Sequence, residues 1–181
     1  MKAFKTFQYR RFAEVADPRY NEFMKVNPVG KLLTEAQASY LAGFIDGDGA
    51  IMAMLERHPE KRFGFRVRIE VKVTQHHEKD VSWLLTLTGI GYVRKNVRCY
   101  EWIVRDQKAA LRLLTNIAPH VHSKTRQVKI ALQILSHAMR TESDLISVAR
   151  LADALSSFNV RSRYRRKNHA TMIQADNSRN D

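Results

Sequence analysis

The stretch Leu41-Ala42-Gly43-Phe44-Ile45-Asp46-Gly47-Asp48-Gly49 constrains this chain more than any other. An apolar, helix-competent run stops there at two carboxylates interleaved with glycines. Upstream, Thr34 and Gln37 have the spacing of a capping box, so a helix is predicted from Glu35 to about Ile45. Ala42, Gly43 and Gly47 are small, and Gly43 and Gly47 stand four residues apart. That spacing lets two helix backbones approach closely. The run is too short to span a membrane, which takes about 20 apolar residues. The expectation is a close helix pair that delivers Asp46 and Asp48 to one place, with Leu41, Ala42, Gly43, Ile45 and Asp46 along the seam.

Charge narrows the partner. The 181 residues are the length of one ordinary domain, and 44% hydrophobic content is enough for a core. Formal net charge is +13 and the sequence pI is about 10.2. Such an excess favours an anionic partner, nucleic acid before a membrane surface. Both ends are basic out of proportion to their length: residues 1–33 hold seven Lys/Arg against three acids, and residues 159–181 hold six against two. The single cysteine, Cys99, excludes an intramolecular disulfide and a multi-cysteine zinc site and fits a reducing, intracellular setting. No long apolar segment follows the first charges, so no signal peptide is expected. Prokaryotic cytoplasm and organelle both stay open.

Three regions follow. Residues 1–33 form a basic, aromatic extension interrupted at Asp17-Pro18 and Asn27-Pro28, expected to dock on the domain or on DNA. Residues 34–158 form the domain proper. Within it, Ala50 to Glu56 suits a strand. Phe65 to Gln75 alternates strictly, with Phe65, Val67, Ile69, Val71 and Val73 on one side and Arg66, Arg68, Glu70, Lys72 and Thr74 on the other. Asp80 is predicted to cap a helix closed by Gly89, and a hairpin of Gly91–Arg94 and Cys99–Val104 follows. Asp106 is predicted to cap a helix from Gln107 to Ile117, and two further helices are expected over about Lys124–Met139 and Glu142–Phe158. The tail from Asn159, basic and then polar, is expected to fray. The order α-β-β-α-β-β-α-α-α makes an α+β domain with helices on one face of a four-stranded sheet and the other face open.

The open face suits DNA. A two-stranded ribbon fits the major groove, and Arg66, Arg68, Glu70 and Lys72 project from one strand face. Arg suits guanine edges, Glu can accept from cytosine, and Lys serves base or phosphate. Arg94 and Asn96 extend the surface, and Met52, Met54 and Glu56 join it if the first strand keeps phase. The carboxylates suit phosphodiester hydrolysis. That reaction needs an activated water and a stabilised leaving oxygen, and divalent metal held by carboxylates supplies both. Mg²⁺ takes one or two protein carboxylates and fills its shell with water and phosphate oxygens. A chain with one such helix end obtains a second aspartate by pairing with a copy of itself. His76-His77 has no partner at zinc spacing, and there is no Walker loop or dinucleotide fingerprint.

The nine-residue string resembles the signature of the LAGLIDADG homing endonucleases, with Phe44 for Leu and Gly47 for Ala. The resemblance covers about residues 34–158 and implies the αββαββα fold of the single-motif type: a four-stranded antiparallel, saddle-shaped sheet with C-terminal helices, acting as a homodimer. It implies that Asp48 is the metal-binding catalytic residue, with the Gly47 carbonyl as an added ligand and Asp46 supporting the helix end. Val73-Thr74-Gln75 resembles the end of the family's second long strand, so Gln75 is expected to position water or metal. Pro119 to Gln127 resembles the segment that enters a helix near the scissile phosphate. There Lys124 is expected to contact water or phosphate, with Arg126 a second basic position and Lys79 a weaker match.

The implied activity is cleavage of both strands of a long pseudo-palindromic DNA across the minor groove, leaving short 3′ overhangs. Mg²⁺ is the implied cofactor, with Mn²⁺ or Ca²⁺ as substitutes, and mobility of an encoding intron the implied purpose. An intron-RNA-binding maturase and a non-cleaving DNA-binding regulator stand as alternatives on the same scaffold.

Overall fold

In the computed structural model, residues 30–159 and 169–177 are described. The element order is α1 (Glu35–Asp48), β1 (Gly49–Arg57), β2 (Phe65–Gln75), α2 (Lys79–Thr88), β3 (Tyr92–Asn96), β4 (Cys99–Val104), α3 (Gln107–Ile117), α4 (Thr125–Ser136), α5 (Glu142–Phe158) and α6 (His169–Asn177). The predicted order holds, with one helix added. Residues 1–29, and so nearly all of the predicted N-terminal extension, lie outside the described residues. At its end, Lys31 N and Nζ donate to the carbonyls of Thr88 and Thr86.

Local chemistry explains most boundaries. The Thr34 hydroxyl accepts from Gln37 N while the Gln37 amide oxygen accepts from Thr34 N, the reciprocal capping box expected. Asp106 caps α3 by accepting from Ala109 N, and Thr141 and Asp144 form a second capping box at α5. Asp80 is not a cap. Helix α2 starts two residues earlier than expected, at Lys79, and Asp80 lies in its first turn, where a carboxylate also complements the helix dipole. Helix α1 does not stop at Ile45 but runs to Asp48, so both acids and Gly47 sit in its last turn. Helix α4 ends at Ser136, three residues short of the expected Met139.

The sheet is antiparallel with strand order β1-β2-β4-β3. Its register runs from Gly49 opposite Val73 to Arg57 opposite Phe65, and from Val71 opposite Val104 to Gln75 opposite Tyr100. One face carries Ile51, Ala53, Ile69, Val71, Val73, Trp102 and Val104. These pack with Leu41, Ala42 and Ile45 of α1, Val81 and Leu84 of α2, and Leu113, Leu114 and Ile117 of α3 in the main core. Each Val, Leu or Ile side chain among them contributes about 1.5–3 kcal/mol by leaving water. Fully buried Trp102 also donates from Nε1 to the Ile90 carbonyl at 3.0 Å. Gly91 beside it has φ +80°, and a Cβ there would meet the Ile103 carbonyl oxygen at 2.5 Å, so only glycine fits.

A second, smaller core joins Phe65 at the start of β2 to Leu145 and Ala149 of α5 and Ala170 and Ile173 of α6. The tail is therefore not frayed throughout. Asp153 of α5 accepts from the backbone N–H of His169 and Ala170, which holds the start of α6. Among the described residues no helix is long and apolar enough to cross a membrane.

Candidate active site

The last turn of α1 and the end of β2 meet because Gly49 follows the helix directly into β1, which pairs with β2 opposite Val73. Two residues beyond Val73, on the helix side of the sheet, Gln75 Nε2 donates to Asp48 Oδ2 at 2.7 Å. Asp48 is exposed, and the bond engages one of its oxygens. The sequence thus names two residues 27 apart in the chain that fold into direct contact. Gly47 beside them is exposed as well, with nothing within 4 Å of where a Cβ would stand.

Asp46 points the other way. Its Oδ2 accepts from the backbone N–H of His122 and Ser123, and its Oδ1 from Lys124 N at 2.9 Å. Lys124, at the N-cap of α4, has no side-chain cap of its own, so the carboxylate of α1 satisfies the start of α4. Lys124 Nζ in turn donates to the Asp46 carbonyl, setting a cation against the negative end of the α1 dipole. Asp46, Asp48, Gln75 and Lys124 therefore converge on one helix terminus. Lys79, first in α2, and Arg126, second in α4, are exposed.

The expected seam of the helix pair needs correction. Leu41, Ala42 and Ile45 have no exposed surface; they face the core of their own chain and have nothing to offer a partner. The exposed face of α1 instead carries Ala36, Tyr40, Gly43 and Gly47, at three- and four-residue spacing. No atom lies within 4 Å of a Cβ placed at Gly43 or Gly47. Tyr40 and Phe44 stack edge-on against Trp83 of α2 with ring centroids 5.4 and 5.5 Å apart, which fixes one flank of that face.

The open sheet face carries the predicted row, and β1 keeps phase: Met52, Met54 and Glu56 stand opposite Glu70, Arg68 and Arg66. Two carboxylates organise the cations. Glu56 bonds Arg66 and Arg68. Glu101, only 3% exposed, takes Lys72 at 2.9 Å, Arg94 through Nε and Nη2, and Asn96 at 3.4 Å. Burial alone would raise the Glu101 carboxyl; the hydrogen bonds and charges of Arg94 and Lys72 outweigh it and hold the group below the usual carboxylate range. Glu70 departs from expectation. It is buried and accepts from Arg105, so it is a counter-ion inside the face rather than an exposed acceptor for cytosine. Neither Glu101 nor Arg105 stood out in the sequence, because their partners follow from strand register alone.

Hard oxygen donors at the α1 terminus suit Mg²⁺ or a similar ion, and the partial negative charge of a helix C-terminus adds to them. Among the described residues no three His, Cys, Asp or Glu lie together as a metal cage. One carboxylate per chain, with the remaining shell left to water and phosphate, fits a hard divalent ion and not structural zinc.

Residues 41–130 match the family described as LAGLIDADG endonuclease. The DNA endonuclease I-CreI of Chlamydomonas reinhardtii is 27% identical over 125 residues, covering 66% of this chain and 77% of that protein. The DNA endonuclease I-CvuI of Chlorella vulgaris is 31% identical over 120 residues, covering 64% and 74%. Crystal structures of I-CvuI share this fold at a TM-score of 0.71 and 25% identity, covering 80% of this chain and 94% of that one. One holds the I-CreI target, uncleaved, with 2 mM Mg; the other holds its own target with 2 mM Ca. The family match, the shared sequence over most of I-CvuI and the shared fold lead to one conclusion: this chain belongs to the LAGLIDADG endonuclease family.

Proposed function

We infer that two copies of this chain form a homodimeric homing endonuclease that hydrolyses both strands of a long, pseudo-palindromic double-stranded DNA. The Gln75–Asp48 bond carries this reading, because it holds an exposed carboxylate in one orientation at a helix end backed by a cation. Two α1 helices packed along Ala36, Tyr40, Gly43 and Gly47 bring two such carboxylates to the centre of the site. Asp48 and the Gly47 carbonyl hold the divalent ion, Mg²⁺ first among candidates. That ion, when bound, supplies Lewis-acid stabilisation and an activated water at the scissile phosphate. Gln75 orients the carboxylate, and Lys124 places positive charge beside the same helix end. The sheet face lies along the major groove and reads the half-sites through Arg66, Arg68, Lys72, Arg94 and Asn96, while Lys79 and Arg126 meet the phosphate backbone. Mobility of an encoding intron is the purpose that fits such a nuclease.

The test is cutting of a plasmid that carries the intron-less junction of the gene around this reading frame, with Mg²⁺, Mn²⁺ or chelator, beside Asp48→Asn. Single cutting that needs metal, together with an Asp48→Asn protein that binds but cuts at least about 1,000-fold more slowly, supports the reading; such a loss corresponds to about 4 kcal/mol of barrier. Tight binding of both proteins with no cutting by either removes the nuclease assignment and makes the intron RNA the next partner to assay.

A further inference from the structure

At the outer end of the sheet one carboxylate stands between two arginines. Glu56 and Arg66 stand directly opposite each other on β1 and β2, and Arg68 lies diagonally beside them on the same face. Arg66 Nε donates to Glu56 Oε2 at 2.8 Å, and Arg68 Nη2 forms an ion pair with Glu56 Oε1 at 2.5 Å. One carboxylate thus ties two guanidinium groups, using a different oxygen for each.

The two arginines are not equivalent. The Arg68 side chain is 19% exposed and its Nε is buried, whereas the Arg66 side chain is 40% exposed. Arg66 bonds Glu56 through Nε alone. Its terminal Nη1/Nη2 edge stays outside that bond, and it is this edge that forks onto O6 and N7 of guanine in the major groove. Arg68 anchors the carboxylate from within. The carboxylate also cancels one of the two positive charges, which weakens the pull of the nearby phosphates on Arg66.

We propose that Glu56 is a positioning residue for sequence readout, holding Arg66 to a guanine in the outer part of each half-site and away from the DNA backbone. The proposal rests on the reading of this face as a DNA-binding surface and adds which base it selects and which residue enforces the choice. A bidentate Arg–guanine contact sets a discrimination of about tenfold or more against other bases.

The experiment selects bound sites from a library of randomised duplexes with the full-length wild type, Glu56→Gln and Arg66→Lys, and measures affinity against salt for each. Thermal unfolding shows that each variant is folded, which the half-exposed setting of both residues favours. The expected result has three parts. The wild type selects a guanine in the outer half-site. Glu56→Gln loses that preference by about tenfold, keeps its other positions and gains a steeper salt dependence, about one more phosphate contact. Arg66→Lys keeps affinity but loses the guanine, because an ammonium cannot fork. If Glu56→Gln selects the same guanine with the same salt slope, the proposal fails while the nuclease reading stands. If the wild type selects no sequence at all, both fall.

Discussion

At the scale of single residues, the two acids of the signature divide their labour by direction. Asp48 faces outward and is held by Gln75; Asp46 turns inward and serves as the missing cap of a helix 76 or more residues later in the chain. A carboxylate accepting three backbone N–H groups at a helix N-terminus benefits from charge-assisted hydrogen bonds and from the dipole of α4. Asp46→Ala should therefore lower stability by about 2 kcal/mol, the upper range for losing a cap, and Asp46→Asn by less, since an amide has one accepting oxygen. Because Lys124 is positioned through the same contacts, the cutting rate should fall further than stability alone explains. Urea unfolding beside single-turnover cleavage separates the two effects, and an Asp46→Ala protein with wild-type stability would refute the capping role. In the sequence, Asp46 was recognisable as support for a helix end. Its partners were not, since nothing local links it to residues 122–124.

At the scale of elements, what was legible is what is written within a few consecutive residues. The box Thr34–Gln37, the Asp106 cap and the alternation of β2 all became structure as read. The last turn of α1 was misjudged because Gly47 and Gly49 read as a stop. The helix continues since the Gly49 N–H still bonds the Ile45 carbonyl and Lys124 satisfies the Asp46 carbonyl. Helix α6 was missed because its few apolar residues gain a reason to fold only against α5 and Phe65.

The α5 cap gives a pH prediction. Hydrogen bonds from the Thr141 backbone and hydroxyl and from the Arg140 backbone hold the Asp144 carboxyl down to about 2. A folded value below the unfolded one of about 3.9 contributes stability that is fully present above the unfolded value. It is lost as pH falls from about 4 towards 2. Asp144→Asn should therefore melt lower than wild type between pH 5 and 8, with the gap closing by pH 2. A gap that persists undiminished at pH 2 would show that the charge of Asp144 is not its cause.

At the scale of the whole molecule, the decisive surface is the one the fold leaves incomplete. Helix α1 buries Leu41, Ala42 and Ile45 against its own sheet, yet turns Ala36, Tyr40, Gly43 and Gly47 outward beside the exposed Asp48. Two glycines in a helix cost about 1 kcal/mol each relative to alanine, and at these positions the monomer gains no packing from them, for no atom lies within 4 Å of either missing Cβ. Close approach of a second helix backbone, as in the proposed homodimer, would give them a purpose and would set two Asp48 carboxylates side by side. Gly43→Leu separates the two demands. In the monomer the new side chain meets open space and raises helix propensity, so the melting temperature of dilute protein should stay level or rise. In the pair, the same side chain holds the helices apart, so dimerisation should weaken by at least about 100-fold, roughly 3 kcal/mol, with double-strand cutting lost in step. Sedimentation over a range of concentrations, run beside plasmid cleavage, reads both. A Gly43→Leu protein that dimerises and cuts like the wild type would move the seam off α1 and leave the glycines without a physical account.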